Sequence, residues 1–599
     1  MNYLFPFQLV PKDSILILYG AGTVGLCFYK QLETTGYARV ALWVDKNWEN
    51  CKKKNFPVNA VESIHDCDAY DYIVIAIESK EIADEVRNML VNSFGIEDRK
   101  IIFSEKYKYE ESRLYQNVQE ERDKGHYKSE LSRISPEKML RAQRLDLIVR
   151  YLLAKDMVYG IENRANLSLY ARMILARNNA FEGEAYFSEY TREGTAEYIS
   201  ALKALCVSMK EKGFDESNFI PVGENGVFLN GAHRTAVALV LKEDIWVKCY
   251  QGQNGNVNFG IQWFEENGFN TEDKIRILRG YADLYEHCGI MLLFGPCMEQ
   301  WDYLQSQLAK QMTVVGTVEL DFTDNYIAFE NLFREIYSDP LWRNLYIDRK
   351  VELLKMSPLK IRVLLVSDEG FKEHDLYKTM GTAKLELRNR MFFDTDIAPI
   401  VMHGSDSAEE FEHLKQTLLS VNNLSYLRMR VARNYSESFI ERLDRLKNIL
   451  REKGLQQKDV VISGSSGWEV FGMRKAADID FSVCSKYRNR FGEKHEVWDD
   501  RIEYNRLNCY ELSDDITYPD DLIITDDNFH YVFYGLKFVN LDILAAKKNY
   551  NAREKDLRDV RLYELFKDYA LNFNNKVYLK QQIENEKKKV KEMLAILKY

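Results

Sequence analysis

Two aspartates separated by one residue give the most direct indication of chemistry in this chain. Asp478 and Asp480 lie in the segment 459–483, DVVISGSSGWEVFGMRKAADIDFSV, within the second of its two apolar runs. Side chains alternate between the two faces of a β-strand, so residues i and i+2 point to the same side. Ile479 and Phe481 would then pack on the opposite, buried face. Carboxylates are hard oxygen ligands, and two of them on one face can bind Mg²⁺.

A glycine-serine turn precedes these aspartates. The first apolar run, 460–462, leads into Gly464, Ser465 and Ser466, and a short helical segment and Arg474 follow. Backbone N–H groups of such a turn can bind a phosphate. The order of turn, helix and D-x-D strand resembles the polymerase-β-like nucleotidyltransferase fold. In that family the turn holds the triphosphate of the nucleotide, and the D-x-D pair binds metal ions that activate the acceptor and stabilise the leaving pyrophosphate.

The resemblance continues towards the C-terminus. Residues 538–560, FVNLDILAAKKNYNAREKDLRDV, resemble the helical element that follows the core in many bacterial members of this superfamily. The resemblance also implies a third carboxylate on a later strand, and Asp542 is the first candidate for it. Asp542 could instead begin the helix, which would leave Asp526, Asp527 or no acid for that role.

The composition is typical of a soluble globular protein of several domains. The chain has 599 residues, of which 46% are hydrophobic and 29% are charged. Its net charge of −10 disfavours a general nucleic-acid-binding protein, which normally carries a basic balance, so no stable nucleic-acid partner is expected. The nine cysteines contain no C-x-x-C pair and predict reduced thiols in a cytoplasmic protein. Neither a signal peptide nor a membrane span is expected, although membrane glycan enzymes could still be partners.

Residues 1–105 are predicted to form a Rossmann-like nucleotide-binding domain. The segment SILILYGAGTVG predicts a strand that runs into Gly20, Gly22 and Gly25, and a second strand ends at Asp45. In a dinucleotide site the glycines approach the pyrophosphate and the acid binds a ribose hydroxyl. The segment resembles the small nucleotide-binding module of bacterial surface-polysaccharide enzymes, which implies a binding or scaffolding unit without redox chemistry. It lacks a Tyr-x-x-x-Lys pair, so an oxidoreductase is the least favoured interpretation.

A second anion-binding pattern occurs where a predicted apolar helix begins, inside a domain predicted to span 125–260. The residues of this pattern are Asn230, Gly231, His233 and Arg234. The N–H groups of a helix N-terminus and the two cationic side chains could bind a phosphate, or the side chains could only cap a core helix. Residues 137–260 resemble the ParB/sulfiredoxin-type fold, in which a D-G-x-H-R box holds nucleotide phosphates. Asn230 replaces the acid of that box, which implies binding without catalysis; Glu182 and Glu184 are further candidates for such a site.

Residues 270–430 are predicted to form a further α/β domain of unknown role. Its apolar runs predict strands at IMLLFGP, TVVGTVEL, IRVLLVS and IAPIVMHGSD. Lys384 and Arg388 share one face of a predicted helix, and His403 lies at the exit of the fourth strand. These three side chains suggest a phosphate-binding pocket.

The leading hypothesis is a cytoplasmic enzyme of bacterial surface-polysaccharide biosynthesis with an α/β multidomain fold. Its four parts would be the Rossmann-like parallel sheet, the ParB/sulfiredoxin-like α+β domain, the further α/β domain and an α+β nucleotidyltransferase domain at 435–599. This last domain would use Mg²⁺ and a nucleoside triphosphate or nucleotide sugar, and would transfer a nucleotidyl or phosphoryl group to a sugar or polyol phosphate. Asp478 and Asp480 would hold the metal, and Arg474 or Lys547 would neutralise developing charge.

Two further hypotheses belong to other functional classes. A non-catalytic nucleotide-sensing scaffold is favoured by Asn230 and by the ambiguous third carboxylate. A toxin- or antitoxin-like nucleotidyltransferase acting on RNA or protein fits the acidic balance less well. The sequence identifies neither the acceptor nor the nucleotide base, and it leaves homo-oligomerisation open.

Overall fold

The computed structural model divides into two compact units, residues 1–286 and 287–599. The structure describes residues 3, 5–7, 9–52, 56–67, 69–104, 131–178, 194–250, 255, 258–337, 347–371, 375–392, 398–430, 435–492, 495–498, 501–506, 509–514 and 516–570. The architecture is mixed α/β, with a parallel sheet and several other sheets. Within the described ranges no helix is both long enough and apolar enough to cross a bilayer.

The first unit contains seven named strands within its described residues. They are β1 (Ile15–Tyr19), β2 (Arg39–Val44), β3 (Tyr72–Ile75), β4 (Ile101–Ile102), β5 (Ser132–Ile134), β6 (Ile220–Val222) and β7 (Ile245–Cys249). Its helices are α1 (Thr23–Thr35), α2 (Trp48–Lys52), α3 (Lys80–Phe94), α4 (Asp146–Tyr159), α5 (Arg164–Asn178), α6 (Gly194–Lys212), α7 (Ala232–Leu241), α8 (Ile261–Glu266) and α9 (Thr271–Leu284).

Parallel strands form the N-terminal sheet, in the order β2-β1-β3-β4. The apolar run of β1 is buried almost throughout, because helices cover both faces of a parallel sheet. The prediction of a parallel sheet at the N-terminus is therefore confirmed. A second, three-stranded sheet has the order β5-β7-β6, with β5 antiparallel and β6 parallel to β7.

Buried contacts join the N-terminal sheet to the helical part of the first unit. Leu175 of α5 lies in the same apolar core as Leu16 and Leu18 of β1. Arg172 of α5 is buried, donates to Asp273 of α9 at 2.5 Å, and has its guanidinium carbon 5.1 Å from the centre of the Tyr37 ring. These contacts make residues 1–286 one packed body.

The second unit carries a sheet of four strands followed by a sheet of six. Its strands are β8 (Cys288–Phe294), β9 (Thr313–Asp321), β10 (Lys360–Ser367), β11 (Met402–Gly404), β12 (Val460–Ser463), β13 (Ile479–Val483), β14 (His495–Trp498), β15 (Ile502–Asn505), β16 (Cys509–Glu511), β17 (Thr517–Pro519), β18 (His530–Phe533) and β19 (Leu536–Val539). Its helices are α10 (Trp301–Leu308), α11 (Tyr326–Ile336), α12 (Ile347–Lys355), α13 (Leu376–Phe392), α14 (Ala398–Val401), α15 (Ala408–Leu418), α16 (Val421–Met429), α17 (Glu437–Glu452), α18 (Ser466–Val470), α19 (Asp520–Thr525), α20 (Leu541–Asn551) and α21 (554–570).

The four-stranded sheet is antiparallel, in the order β11-β8-β10-β9, and every residue of β8 is buried. Three of the strands predicted for 270–430 are present. The fourth prediction, IAPIVMHGSD, is wrong over most of its length, because residues 398–401 are helical and only Met402–Gly404 pair with β8. Short apolar runs do not distinguish a buried helix from a strand.

The six-stranded sheet is mixed, in the order β14-β15-β13-β12-β19-β18. Its central pair, β12 and β13, is antiparallel, whereas β12 runs parallel to β19 and β13 runs parallel to β15. Strands β16 and β17 form a separate hairpin. This sheet carries the D-x-D motif.

Side chains of the preceding helices cover the β18 edge of the six-stranded sheet. The N–H of Val532 donates to Asn423 of α16 at 2.8 Å. In the turn between β18 and β19, the N–H groups of Tyr534 and Gly535 donate to the buried carboxylate of Glu335, at 2.9 and 2.6 Å. Unpaired edge groups would otherwise be available to another chain, so these bonds both protect the edge and join the two sheets into one unit.

The turn between β1 and α1 requires glycine for its own packing. Gly20 has φ = +108°, in the region that favours glycine. A Cβ at Gly25 would overlap the carbonyl group of Gly20, whose carbon lies 2.8 Å from that position, whereas a Cβ at Gly22 meets no atom within 4 Å. Close backbone packing therefore accounts for two of the three glycines.

We predict that Gly25→Ala lowers the free energy of unfolding of the first unit by about 1–3 kcal/mol, the usual cost of overpacking. Gly22→Ala is the matched control and should change it little, because that position is open. Calorimetric unfolding of the full chain measures both. Equal stability of the two variants would contradict this account of the turn.

Candidate functional site

The aspartates of the D-x-D motif are on the accessible face of β13. Asp478 comes directly before the strand and Asp480 is its second residue, and both are partly exposed. Ile479 and Phe481, which alternate with them, are fully buried. The predicted alternation is therefore present in the structure.

The glycine-serine turn lies directly against Asp480. Strand β12 pairs with β13 so that Ser463 is opposite Asp480, and the chain then turns at Gly464 with φ = +67°. A Cβ at Gly464 would overlap carboxylate oxygen Oδ2 of Asp480 and would lie 3.2 Å from its Cγ. The buried hydroxyl of Ser466 donates to the carbonyl oxygen of Asp478 at 2.9 Å. The turn and both aspartates thus form one local structure.

Two residues distant in sequence also lie near the Asp480 carboxylate. The amide of Asn505 donates from Nδ2 to Oδ1 of Asp480 at 2.7 Å. Tyr510 is buried, and burial raises the pKa of its phenol; the negative charge of Asp480 raises this pKa further. Tyr510 therefore keeps its proton at neutral pH.

Glu503 is a carboxylate beside this site that the sequence reasoning missed. Strands β13 and β15 are parallel, and Glu503 is the register partner of Asp480. Neighbouring strands are about 4.8 Å apart, and register partners point to the same face. Ile502 and Tyr504 are buried, so the run IEYN has the same alternation as the D-x-D strand. That alternation was the available signal, but only the strand pairing shows which aspartate Glu503 adjoins.

Asp542 is not on a strand, so the first of its two predicted placements is wrong. Strand β19 ends at Val539, and Asn540 caps helix α20 by accepting from the N–H of Asp542 at 2.8 Å. The carboxylate of Asp542 accepts from Tyr563 at 3.1 Å and pairs with Lys567 at 3.0 Å. Asp542 therefore lies in the first turn of helix α20, as the second of its two predicted placements has it.

Asp526, the other acid considered for the third position, stabilises a turn. It is buried after α19 and accepts from the backbone N–H of Asn528 at 2.9 Å and from its side-chain amide at 2.7 Å. Asp527 lies within the same turn. Its bonding pattern shows that Asp526 organises the loop before β18.

Arg474 is held by an ion pair with Asp559. Its guanidinium donates to both carboxylate oxygens, at 2.7 and 2.8 Å, while Trp468 donates to the same group at 3.2 Å. Lys548 reaches Asp559 at 2.8 Å and Asp556 at 3.1 Å. Burial opposes ionisation of Asp559, but hydrogen bonds from Arg474 and Lys548 more than offset it and lower its pKa. The ion pair between Arg474 and Asp559 therefore attaches the helices that follow β19 to the loop after α18.

Lys547 has different partners from its neighbour Lys548. Its ammonium group is 5.8 Å from the ring centre of Tyr510 and 3.5 Å from the carboxylate of Glu511. Of the two predicted cations, Lys547 is the one that lies against Tyr510, whose phenol is within electrostatic range of Asp480. Arg474, in contrast, has Asp559 as its principal partner.

A metal ion bound here would rest on two carboxylates. Among the described residues, no group of three or more His, Cys, Asp or Glu side chains is arranged to hold a metal. Glu503 thus lies beside Asp480 without completing such a group. Mg²⁺ commonly binds through one or two carboxylates together with substrate phosphates, and the donor set Asp478 and Asp480 fits that mode.

Asp45, at the end of β2, is bonded to the glycine-rich turn itself. Its Oδ2 accepts from the N–H of Ala21 at 2.6 Å and its Oδ1 from the N–H of Asn47 at 2.6 Å. The buried indole of Trp43 donates to the carbonyl of Gly20 at 2.8 Å. Both oxygens that would meet a ribose thus stabilise the loop, and the predicted nucleotide contact stays a prediction.

The side chains of the 230–234 pattern point in different directions. Gly231 has φ = +91°, and its N–H donates to Oδ1 of Asn230 at 2.6 Å. Arg234 donates to the carbonyl of Phe219 at 3.3 Å. His233 instead has its Nε2 2.8 Å from the hydroxyl of Tyr170. The structure therefore does not bring His233 and Arg234 together on one ligand.

Glu182 and Glu184, the other acids suggested for that site, lie outside the described residues. The candidate cations of the 287–430 region are within the described part and have partners. Lys384 pairs with Asp406 at 2.7 Å, and Arg388 donates to a backbone carbonyl of β11. His403 is 3.2 Å from Glu410. These contacts organise the helices around β11.

No protein-family model, curated protein or solved structure matches this chain. The resemblances described above therefore rest on short motifs. Any functional assignment has to rest on the side chains that the fold brings together, and the best-defined group surrounds Asp480.

We predict that Asp559→Asn lowers the stability of the second unit at pH 7 by about 1–3 kcal/mol, because Arg474 and Lys548 lose their shared anion. A carboxylate with a lowered folded-state pKa stabilises the protein above its unfolded pKa, about 3.9, and this contribution is lost as the pH falls through the folded value. The difference from wild type should therefore shrink as the pH falls from about 5 to about 3.

Urea unfolding across this pH range measures the effect. Asp568→Asn is the control, since Asp568 is an exposed residue of the same helix. A stability difference that is independent of pH would contradict the proposed role of the Asp559 charge.

Proposed function

We propose that residues 435–599 form a Mg²⁺-dependent nucleotidyl or phosphoryl transferase that acts on a sugar or polyol phosphate. The observation that carries the proposal is the position of the Gly464 turn directly against Asp480. A turn with positive φ can direct backbone N–H groups at a phosphate. Phosphate oxygens bound there would lie next to the carboxylates that share one face of β13.

Each side chain near Asp480 has a role that follows from its contacts. The bond from Asn505 to Oδ1 orients the carboxylate, and Oδ2 is directed towards the Gly464 turn. Tyr510 is a protonated donor, and Lys547 beside it adds positive charge for a phosphoryl group in transfer. Asp478 and Asp480 would hold Mg²⁺, which neutralises phosphate charge and orients the leaving group. Ser466 positions the turn, because its hydroxyl is bonded to the Asp478 carbonyl.

The cellular setting is inferred from the resemblance of residues 1–105 to the module of bacterial surface-polysaccharide enzymes. We place the protein in the cytoplasm, where nucleoside triphosphates, nucleotide sugars and sugar phosphates are available. Membrane enzymes of glycan assembly are then natural partners for its product.

We expect Asp478→Asn and Asp480→Asn each to reduce Mg²⁺-dependent pyrophosphate release by at least about 100-fold, because metal stabilisation of transferred charge is worth several kcal/mol. The assay uses each of the four ribonucleoside triphosphates with a panel of phosphorylated hexoses and polyols. Glu554→Gln, an exposed acid at the start of α21, is the control. Unchanged release by both aspartate variants, with the fold retained by circular dichroism, would rule out this site.

A second pair of variants tests which acid serves as the third carboxylate. Glu503 adjoins Asp480 in register, whereas Asp542 is bonded to Tyr563 and Lys567. We therefore expect Glu503→Gln to lower the rate by at least about tenfold, or ~1.4 kcal/mol, and Asp542→Asn to lower it less. If Asp542→Asn lowers the rate more than Glu503→Gln does, Asp542 and not Glu503 is the third carboxylate.

The alternative is a nucleotide-sensing scaffold without turnover. Two observations favour it: Arg474 is engaged with Asp559, and the described residues hold no three-carboxylate metal group. Calorimetric binding of a nucleotide, with no product detected in the same sample, would support the scaffold over the transferase.

A further inference from the structure

An unbalanced group of arginines surrounds one carboxylate in the interior of the first unit. Asp146, at the start of α4, is fully buried and accepts from Arg144 at 2.8 Å and from Arg150 at 2.9 Å. Arg177, near the end of α5, is close enough to act electrostatically on the same carboxylate. Among the described residues, three guanidinium groups therefore share one buried negative charge. Buried charges are normally paired, so this surplus of positive charge needs a physical explanation.

Arg150 has hydrogen-bonding capacity that the described part of the chain does not use. Its side chain is 0% exposed, and Nη1 donates to the carboxylate and carbonyl oxygens of Asp146. Its Nε and Nη2 are buried and have no hydrogen-bond partner. Leaving donors of a charged group unsatisfied in the interior carries the full desolvation penalty of those donors. A bound acceptor would remove that cost.

Two tyrosines and a histidine lie beside these unused donors. Tyr170 is buried, lies within electrostatic range of Arg150, and its hydroxyl is 2.8 Å from Nε2 of His233. Tyr198 interacts with both Arg150 and Arg177, and its ring centre is 6.5 Å from that of His233. Arg177, Tyr198 and His233 are partly exposed, whereas Arg150 is not. The group thus combines one fully buried guanidinium with three partly exposed side chains.

The surrounding backbone adds to the attraction for an anion. His233 is in the first turn of α7, which has no acidic residue and no side-chain cap. The N-terminus of a helix of this length favours negative charge. Thr195, one turn before Tyr198 on α6, has a buried hydroxyl with no hydrogen-bond partner. Burial and, after it, the charge of Arg150 together lower the pKa of Arg177 to about 10, as expected where positive charges are crowded.

We propose that Arg150, Arg177 and His233 form a binding site for a tetrahedral oxyanion, either inorganic phosphate or the phosphoryl group of a small phosphate ester. Guanidinium groups match phosphate geometry through paired N–H donors, and a dianion balances the surplus of two charges left by Asp146. The site uses His233 of the sequence pattern but not Arg234, which turns away to Phe219. It belongs to residues 1–286 and does not depend on transferase activity in the second unit.

The test measures anion binding to the full chain in a chloride buffer without Mg²⁺. Titration calorimetry and thermal unfolding are carried out with inorganic phosphate, with glycerol phosphate and with glycerol. We expect at least one of the two phosphates to bind and to raise the melting temperature, while glycerol does neither. The phosphate that binds more tightly identifies whether the natural ligand is free or esterified.

Two substitutions and a control locate the binding. Arg150→Met and Arg177→Met should each weaken phosphate binding at least tenfold, whereas Arg133→Met, at an exposed arginine of β5, should leave it unchanged. Without phosphate, Arg150→Met should unfold at the same temperature as wild type or higher, because unsatisfied donors and charge repulsion are removed. Arg177 is partly exposed, so its variant remains informative even if Arg150→Met does not fold.

Failure of both phosphates to bind wild type, or wild-type affinity in Arg177→Met, would overturn the proposal. Asp478→Asn separates the two sites: it should keep full phosphate binding in the absence of Mg²⁺ even though it loses transfer. If Asp478→Asn loses transfer but still binds phosphate, the phosphate site is separate from the transferase site of the second unit.

Discussion

The close contact between the Gly464 turn and the Asp480 carboxylate is the constraint on which the proposed chemistry depends. It arises because β12 and β13 are antiparallel neighbours, so the end of one strand faces the start of the other. Glycine permits both the positive φ and the approach to the carboxylate. Asn505, from the strand on the other side, bonds the same carboxylate. In the proposed function, phosphate oxygens on this turn would therefore lie beside the Asp480 carboxylate.

Buried carboxylates stabilise the surrounding loops, and one of them accounts for the position of Arg474, a predicted site residue. Asp559 binds Arg474, Lys548 and Trp468. These contacts attach α21 to α18 and to the loop that follows α18. Glu469 accepts from the backbone N–H of Ala476 at 2.7 Å and from Ser436. In each case the acid satisfies donors that would otherwise be unpaired in the interior. The group around Asp146 differs, because its donors outnumber the acceptors that the described residues supply.

The local pattern of apolar residues and glycines was sufficient to predict those elements whose structure depends mainly on their own residues. The apolar run of β1, the glycine turn after it and the alternation around Ile479 all have the predicted form. The prediction failed at IAPIVMHGSD, where a short apolar run is helical over 398–401, and at Asp542, which begins α20. Both segments are compatible with either structure by periodicity alone. Residues 398–401 pack against β8, and Asn540 caps the helix that contains Asp542.

The amino-acid sequence by itself determined which side chains share a face of β13 and where the glycine-serine turn occurs, because strand alternation and glycine geometry are local properties. The tertiary structure decided which distant residues join them. Glu503 adjoins Asp480 through strand register, and helix packing brings Tyr170 within electrostatic range of Arg150. Register and packing depend on contacts between segments far apart in the chain, and spacing along the sequence carries no record of them.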